Sequence, residues 1–316
     1  MLHRLAGLAL AVLALLVPAS VASAAPVTVN LRIEGATQTL FDGPVTTDAK
    51  AALATPSSGG PHPCDVKDNG ANAGVGPAAG TPTTALADGA AAAGLPFDAT
   101  FTGVDPQFGA VNDFFVSQIG PDVNQNAPPF ASWGVALNFH LTSVGGCQIA
   151  LGAGDDVLWA YDVFNKTHLL QLSGPTTATA GTPVTVTVVD GQNGTPVAGA
   201  SVGGATTDTA GNARVTFTQA GVQRLKAEAP SSVRSNALVV SVAAPGQVAA
   251  PVPVAAGGAV AGPVVDRTPP VSRLLSPRSG HVYRFAKFSP RLIHVAVAES
   301  GSVSLASSVS PSNPSA

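Results

Sequence analysis

The stretch GAGDDVLWAY, Gly152 to Tyr161, decides how this chain is read. Asp155 and Asp156 stand side by side just ahead of Trp159 and Tyr161. With 2 tryptophans and 2 tyrosines in 316 residues, half of each type lies in these ten positions. One reading is an acid pair beside an aromatic platform, hence a catalytic or sugar-binding site. The other is a glycine-rich turn leading into a buried strand. Spacing favours the turn. Paired acids in glycoside hydrolysis face each other across a cleft, about 5 to 9.5 Å apart, from separate elements. Adjacent aspartates in one glycine-rich turn hydrogen-bond their own backbone instead. Beyond the turn, Val157, Trp159 and Tyr161 alternate with Leu158 and Ala160, which places the two aromatics on one face of a strand. Aromatics on one face of a small β domain serve first as core. The alternative is a stacking wall for a flat ligand, and it stays open at this stage.

Working outward, the same period of two recurs at the start of the mature chain. Val27, Val29, Leu31 and Ile33 alternate with Thr28, Asn30, Arg32 and Glu34, a half-buried strand, and GATQTLFDGPVTT supplies its hairpin partner. Residues 52–80 are rich in Pro, Gly, Ala and Asn without periodicity and read as a long surface loop. TPTTALADGAAAAG then carries a helix signature, with Thr81 as N-cap, Pro82 in the first turn and Gly94 at the end; Gly89 weakens it. FDATF, DFFVSQIGP, SWGVALNFHL and CQIAL each have strand character.

Residues 173–242 change register to short strands (VTVTVVD, GASVGG, ARVTF, QRLKAEA, ALVVSV) broken by turns such as GQNG and TAGN, the pattern of a small β-sandwich. A Pro/Ala-rich linker over 243–265, a partial β fragment over 266–300 and a disordered tail over 301–316 complete the expected plan. The fold class is therefore mainly β: an α+β domain over 25–172, then a sandwich.

Composition narrows the function classes. Charged residues are 10% with a net charge of −3, so there is no basic stripe for nucleic acid. Residues 1–24 carry Arg4, an apolar run and the Ala22-Ser23-Ala24 pattern of a secretory signal peptide, and no later apolar run is long enough to span a membrane. Secretion or surface display follows as an expectation, with an extracellular ligand or a cell-wall or surface component as partner. In such an oxidising compartment the two cysteines, Cys64 and Cys147, are expected to form one disulfide. The histidines show no metal spacing, and no nucleophile elbow or phosphate loop occurs. A non-enzymatic role without a metal is expected.

Several of these stretches together resemble a known module. VTVNLRIEG, the TTALADGA helix, DFFVSQIG, SWGVALNF and the closing GAGDDVLWAYD resemble the transcobalamin-type C-terminal β domain, a β-grasp-like fold. The resemblance implies a binding module. It makes cobalamin a possible ligand and Trp159, Tyr161, Trp133 and Asn138 the candidate ligand residues; in the Leu137-Asn138-Phe139 segment the family has Val-Asn-Gly. A second alternative is carbohydrate binding through Asp155, Asp156 and Trp159. Residues 173–242, with AGTPVTVTV, PVAGASV and TDTAGNARVTF, resemble bacterial immunoglobulin-like or prealbumin-like repeats, which act as spacers and adhesive stalks. The composite expectation is a secreted, non-enzymatic binding or adhesive protein.

Overall fold

The structure is a computed structural model that describes residues 24–105 and 109–249. The expected signal segment up to residue 23, nearly all of the linker from residue 250, the partial β fragment and the tail lie outside the described residues. The described chain is mainly β, with one α-helix.

Strands β1 (Val27–Glu34) and β2 (Thr39–Thr47) form the predicted antiparallel hairpin, with Val29 opposite Val45. Short strands β3 (Lys50–Leu53) and β4 (His62–Cys64) pair with each other. Helix α1 (Pro82–Ala93) follows. Strands β5 (Phe97–Asp105), β6 (Gly109–Ile119) and β7 (Asp122–Val123) make a separate antiparallel sheet. Strands β8 (Trp133–Leu137), β9 (His140–Leu141) and β10 (Asp156–Tyr161) then join the first hairpin in the order β2-β1-β10-β8-β9. β10 runs parallel to β1, with Ile33 opposite Trp159. The last strand of this unit is thus inserted beside the first, and the helix packs on the same sheet.

The helix ends where its capping chemistry says. The Thr81 hydroxyl accepts from the Thr84 N–H, the Thr84 hydroxyl accepts from the Thr81 N–H, and Gly94 closes the helix in the left-handed region at φ 64°. Gly89, a poor helix former, has a packing reason to be there. A Cβ at this position would lie 2.2 Å from the Leu31 Cδ2, so glycine lets the helix sit directly on β1. Gly89→Ala gains about 1 kcal/mol of helix propensity but overpacks a core in which Leu31 is fully buried. We expect a net loss of about 1–2 kcal/mol in urea unfolding; an unchanged or raised midpoint would show that the helix can lift freely.

The core under the helix joins Leu86 of α1 to Val29, Leu31, Ile33, Val157 and Trp159, the alternating positions the sequence identifies. The disulfide Cys64–Cys147 closes at the edge of this core, and both cysteines are fully buried. Two expectations are corrected next to it. CQIAL is not a strand: the Cys147 N–H is held by the Asp113 carboxylate, the Gln148 N–H by the Gly145 carbonyl and the Leu151 N–H by the Gly80 carbonyl, so none of these groups enters a ladder. The 52–80 segment is not simply a surface loop. It carries β3 and β4, and Asn69 is fully buried, donating to the Pro63 and Asn112 carbonyls and accepting from the Asp65 N–H.

The second unit is a β-sandwich around Leu170, Leu172, Val186, Val188, Val215 and Val240. It contains β11 (His168–Ser173), β12 (Thr177–Thr179), β13 (Pro183–Asp190), β14 (Ser201–Val202), β15 (Ala205–Thr206) and β16 (Asn212–Thr216). Strands β17 (Gly221–Leu225), β18 (Ala227–Glu228), β19 (Ser232–Val233) and β20 (Leu238–Ala243) complete it. Pairings run β16-β13-β11-β19, β12-β20-β17 and β15-β14-β18. β11 pairs with β13 from Leu170 onward, about three residues before the boundary expected at 173.

β1 is where the half-buried reading fails. Arg32 and Glu34, expected on a solvent face, are both buried because the second unit covers them. The Arg32 guanidinium donates to the Arg234 carbonyl at 2.7 Å. Glu34, 2% exposed, accepts from Lys226 Nζ at 2.5 Å, Arg234 Nε at 2.7 Å and the Thr39 hydroxyl at 2.9 Å. Lys226 also reaches Asp42 at 2.8 Å. Beside this charged seam lies an apolar one, in which Leu158, Ala160 and Ala136 from the back of the first sheet meet Leu169 and Val233.

Candidate functional site

β10 has two ends, and they do different things. At its start, Asp155 closes the turn from Gly152 and Asp156 is the first residue of the strand. The Asp155 carboxylate accepts from the Gly152 N–H at 2.7 Å and from the Asn138 side-chain amide at 3.0 Å. The Asn138 side-chain oxygen Oδ1 accepts from the Asp156 N–H at 2.9 Å, and Asn138 itself takes a left-handed φ of 49°. Burial raises the Asp156 carboxyl above its usual range, opposed by the Arg32 guanidinium. These groups are tied to one another and to the turn.

In mid-strand, Trp159 is 3% exposed and its indole N–H donates to the Pro82 carbonyl at 3.1 Å, at the first turn of α1. Trp133 is 4% exposed and donates to the Asp122 carbonyl at 3.0 Å. The acids and Trp159 therefore do not share an open face, which removes the geometry behind a sugar site at Asp155, Asp156 and Trp159. Of the four candidate ligand residues, Tyr161 alone borders an open recess. Trp133 stacks edge-on beneath it, with ring centroids 5.4 Å apart. Asn138 stands at the other end of β8, about five residues or 16 Å along the strand.

The recess at the Tyr161 end is built from loops that sequence reasoning passed over. Two adjoining hollows, about 280 and 510 Å³, share walls from Gln125, Phe130, Ala131, Asp162 and Asn165. Phe164 with Asn126 and Ser132 completes one, and Pro129 with Tyr161 completes the other. The residues Phe130 and Phe164 are 62% and 63% exposed.

The walls are nevertheless fixed. Gln125 and Ala131 exchange backbone hydrogen bonds, the Asn165 amide donates to the Phe130 carbonyl at 3.0 Å, and the Asp162 N–H donates to the Ser132 carbonyl at 2.8 Å. A Cβ on Gly134 would lie 2.8 Å from the Phe164 ring, so glycine is what lets that ring rest against β8.

The electrostatics of the recess are close to neutral. Asp162 is paired with Lys166 at 3.2 Å and with the Asn165 amide at 2.6 Å. Burial, then the Asp122 and Asp162 carboxylates, holds the Tyr161 phenol above its ordinary value, so it stays protonated and donates to the Val123 carbonyl at 2.8 Å. The side chains of Gln125, Asn126 and Ser132 make no hydrogen bond within the described residues.

Two other polar groups were not legible in sequence. His168 Nδ1 meets Asp190 at 3.1 Å, but Asp190 also accepts from the Gln192 N–H and anchors the GQNG turn, and among the described residues the His168 side chain bonds only Asp190. Asp113 is buried beside the disulfide. Burial pushes its carboxyl up to about 6, against hydrogen bonds from Gln148, Phe114 and Cys147. Its folded value lies above its unfolded one, so the native state holds the proton more tightly between them. Stability contributed by Asp113 is therefore greatest below about pH 4, falls as pH rises to about 6 and stays low above it. Asp113→Asn keeps an acceptor for the Phe114 and Cys147 N–H groups. It should raise stability at pH 7.5 by about 1–2 kcal/mol and flatten that slope. Urea unfolding at pH 4.5, 6 and 7.5 checks this; a variant that is less stable at pH 7.5 would mean the charge itself is needed.

Among the described residues, no cluster of His, Cys, Asp or Glu is arranged to hold a metal ion, and no helix is long and apolar enough to cross a membrane. Fold and site together define a disulfide-linked, mainly β protein of two fused units with an aromatic recess at one end of its central strand pair. Comparison with family models, with characterised proteins and with solved structures found no match.

Proposed function

We propose that the chain is a secreted or cell-surface, non-enzymatic binding or adhesive protein built from β modules, with residues 1–24 as its export signal. The observation that carries this reading is the recess beside Tyr161, where two phenylalanines are more than half exposed on segments that are themselves tied down. Clustered, fixed and exposed aromatics rimmed by polar groups are the mark of an interaction surface. The order β2-β1-β10-β8-β9 supports reading the first unit as transcobalamin-like. The two-layer packing of the second supports reading it as an immunoglobulin-like or prealbumin-like spacer, and the buried seam at Glu34 makes it a firm mount rather than a swinging one.

The partner in this reading is a cell-wall or surface component. The purified mature chain, incubated with isolated cell-envelope material, should sediment with it saturably. It should stay bound in about 0.5 M salt, because a neutral recess does not depend on unscreened charge. Partition into the supernatant at every concentration would overturn the proposal. The corrinoid alternative rests on resemblance alone, since Trp159, the ring it would need as an open wall, is enclosed; no thermal shift is expected with cobalamin.

A further inference from the structure

The recess has features that bear on what it holds. It is double, each hollow has an aromatic ring of its own, Phe164 in one and Tyr161 in the other, and Phe130 is common to both. Each hollow is small and open to solvent. A pair of shallow adjoining hollows suits consecutive units of a chain better than one enclosed molecule, and one volume falls just below, the other in the lower half of, the about 300–1,000 Å³ typical of small-molecule pockets.

Polarity then selects among chains. The Asp162 charge is already matched by Lys166, so neither an anionic nor a cationic ligand gains a partner there. What stays available are the neutral amides of Gln125 and Asn126 and the hydroxyl of Ser132, groups that both donate and accept. A ring face beside uncharged donor–acceptor groups matches a sugar, whose C–H face packs on an aromatic while its hydroxyls exchange hydrogen bonds at the rim. A peptide adding as a strand would need free backbone groups, but Gln125 and Ala131 already satisfy each other.

Resting on the binding reading above, we infer that the recess formed by Phe130, Phe164 and Tyr161 is a two-unit site for a neutral polysaccharide. Phe130 and Phe164 supply the stacking faces. Gln125, Asn126 and Ser132 supply hydroxyl recognition. Tyr161, its phenol committed to Val123, is a fixed wall.

The test is calorimetric titration of the mature chain with cellohexaose, chitohexaose, mannohexaose and soluble arabinogalactan, with a proline-rich decapeptide as comparison. A shallow, open site of this kind should give a Kd of about 10 µM to 1 mM for at least one saccharide. Phe130→Ala and Phe164→Ala should each weaken that binding about tenfold or more while leaving the melting temperature unchanged, because both rings lie outside the core. Gln125→Ala combined with Asn126→Ala, which removes only surface amides, should weaken it as well and guards against a folding artefact.

No saccharide binding below about 10 mM would overturn the inference. So would saccharide binding that survives the two phenylalanine substitutions, or binding of the peptide alone. The binding reading is judged separately: envelope sedimentation that persists when saccharides neither bind nor compete leaves that reading standing and removes only the ligand class, whereas loss of sedimentation removes the reading itself.

Discussion

Glu34→Ala should destabilise this protein by about 3–5 kcal/mol, because it removes a buried carboxylate from between cations. Glu34 looks like an outward-facing residue of an amphipathic strand, where alanine would change stability by at most about 0.5 kcal/mol. The structure instead makes it the acceptor between the units, with Lys226 at 2.5 Å, Arg234 at 2.7 Å and the Thr39 hydroxyl at 2.9 Å. Arg32 lies buried alongside, its Nε without a partner among the described residues, and burial lowers its pKa while Glu34 is the largest influence raising it. Removing the Glu34 carboxylate leaves cations enclosed with fewer counter-charges, which is the costly half of a buried ion pair.

For a chain of this size the melting temperature should fall by roughly 6–20 °C. Added salt should restore little of it, because buried pairs are weakly screened. Replacing the group as a whole, Arg32→Leu and Glu34→Leu with Lys226→Met and Arg234→Leu, should return most of the stability, since well-packed apolar residues match a buried ion network. Differential scanning calorimetry of the variants decides the matter. A Glu34→Ala protein melting within 2 °C of the native chain, a shift worth less than about 1 kcal/mol, would mean the units do not depend on this seam.

The second large effect is expected at the disulfide. Cys64 and Cys147 are 83 residues apart in sequence, and the loop they close holds the helix, the whole β5-β6-β7 sheet and β8. Linking so long a loop restrains the unfolded chain by about 4–5 kcal/mol in the loop-entropy model. Cys64→Ala with Cys147→Ala should lose about 3–5 kcal/mol in urea unfolding, and reduction of the native chain should lower its midpoint similarly while leaving the double variant unmoved. The first parts to loosen should be the β3–β4 segment and the Asp113–Gln148 contact, which share hydrogen bonds with Cys147. A native chain whose urea midpoint ignores reduction would contradict this.

Elements with local causes were the legible ones. Thr81, Pro82 and Gly94 mark the helix because capping is chemistry between neighbours. Val29, Leu31 and Ile33 mark β1 because one face alternates, and Val157, Trp159 and Tyr161 mark β10 in the same way. The cysteine pair follows from number and compartment. The other face of β1 was not legible, because what buries Arg32 and Glu34 comes from residues 226 and 234, about 200 positions away. A trace was present in Leu158 and Ala160, two apolar residues on the face opposite Trp159, which need cover of their own.

The recess was missed for a related reason. Phe130 lies in an aperiodic proline-rich loop and Phe164 in a single turn after β10, so no period flags them and only the fold brings them to Tyr161. Tyr161 was read as a candidate from its strand position. Trp159, two residues earlier on the same face, shares that position but lies under the helix.

The central claim is that binding resides at the Tyr161 end of β10 and not at the GAGDD end. Sedimentation with cell-envelope material tests it most directly, comparing a Phe130→Ala/Phe164→Ala double variant with Asn138→Gly. The glycine keeps the left-handed turn and removes the Asn138 side chain from the opposite end of β8. The account predicts that the double variant loses at least about nine-tenths of its bound fraction at subsaturating concentration while Asn138→Gly sediments like the native chain. Retention by the folded double variant, or loss in folded Asn138→Gly, would contradict it.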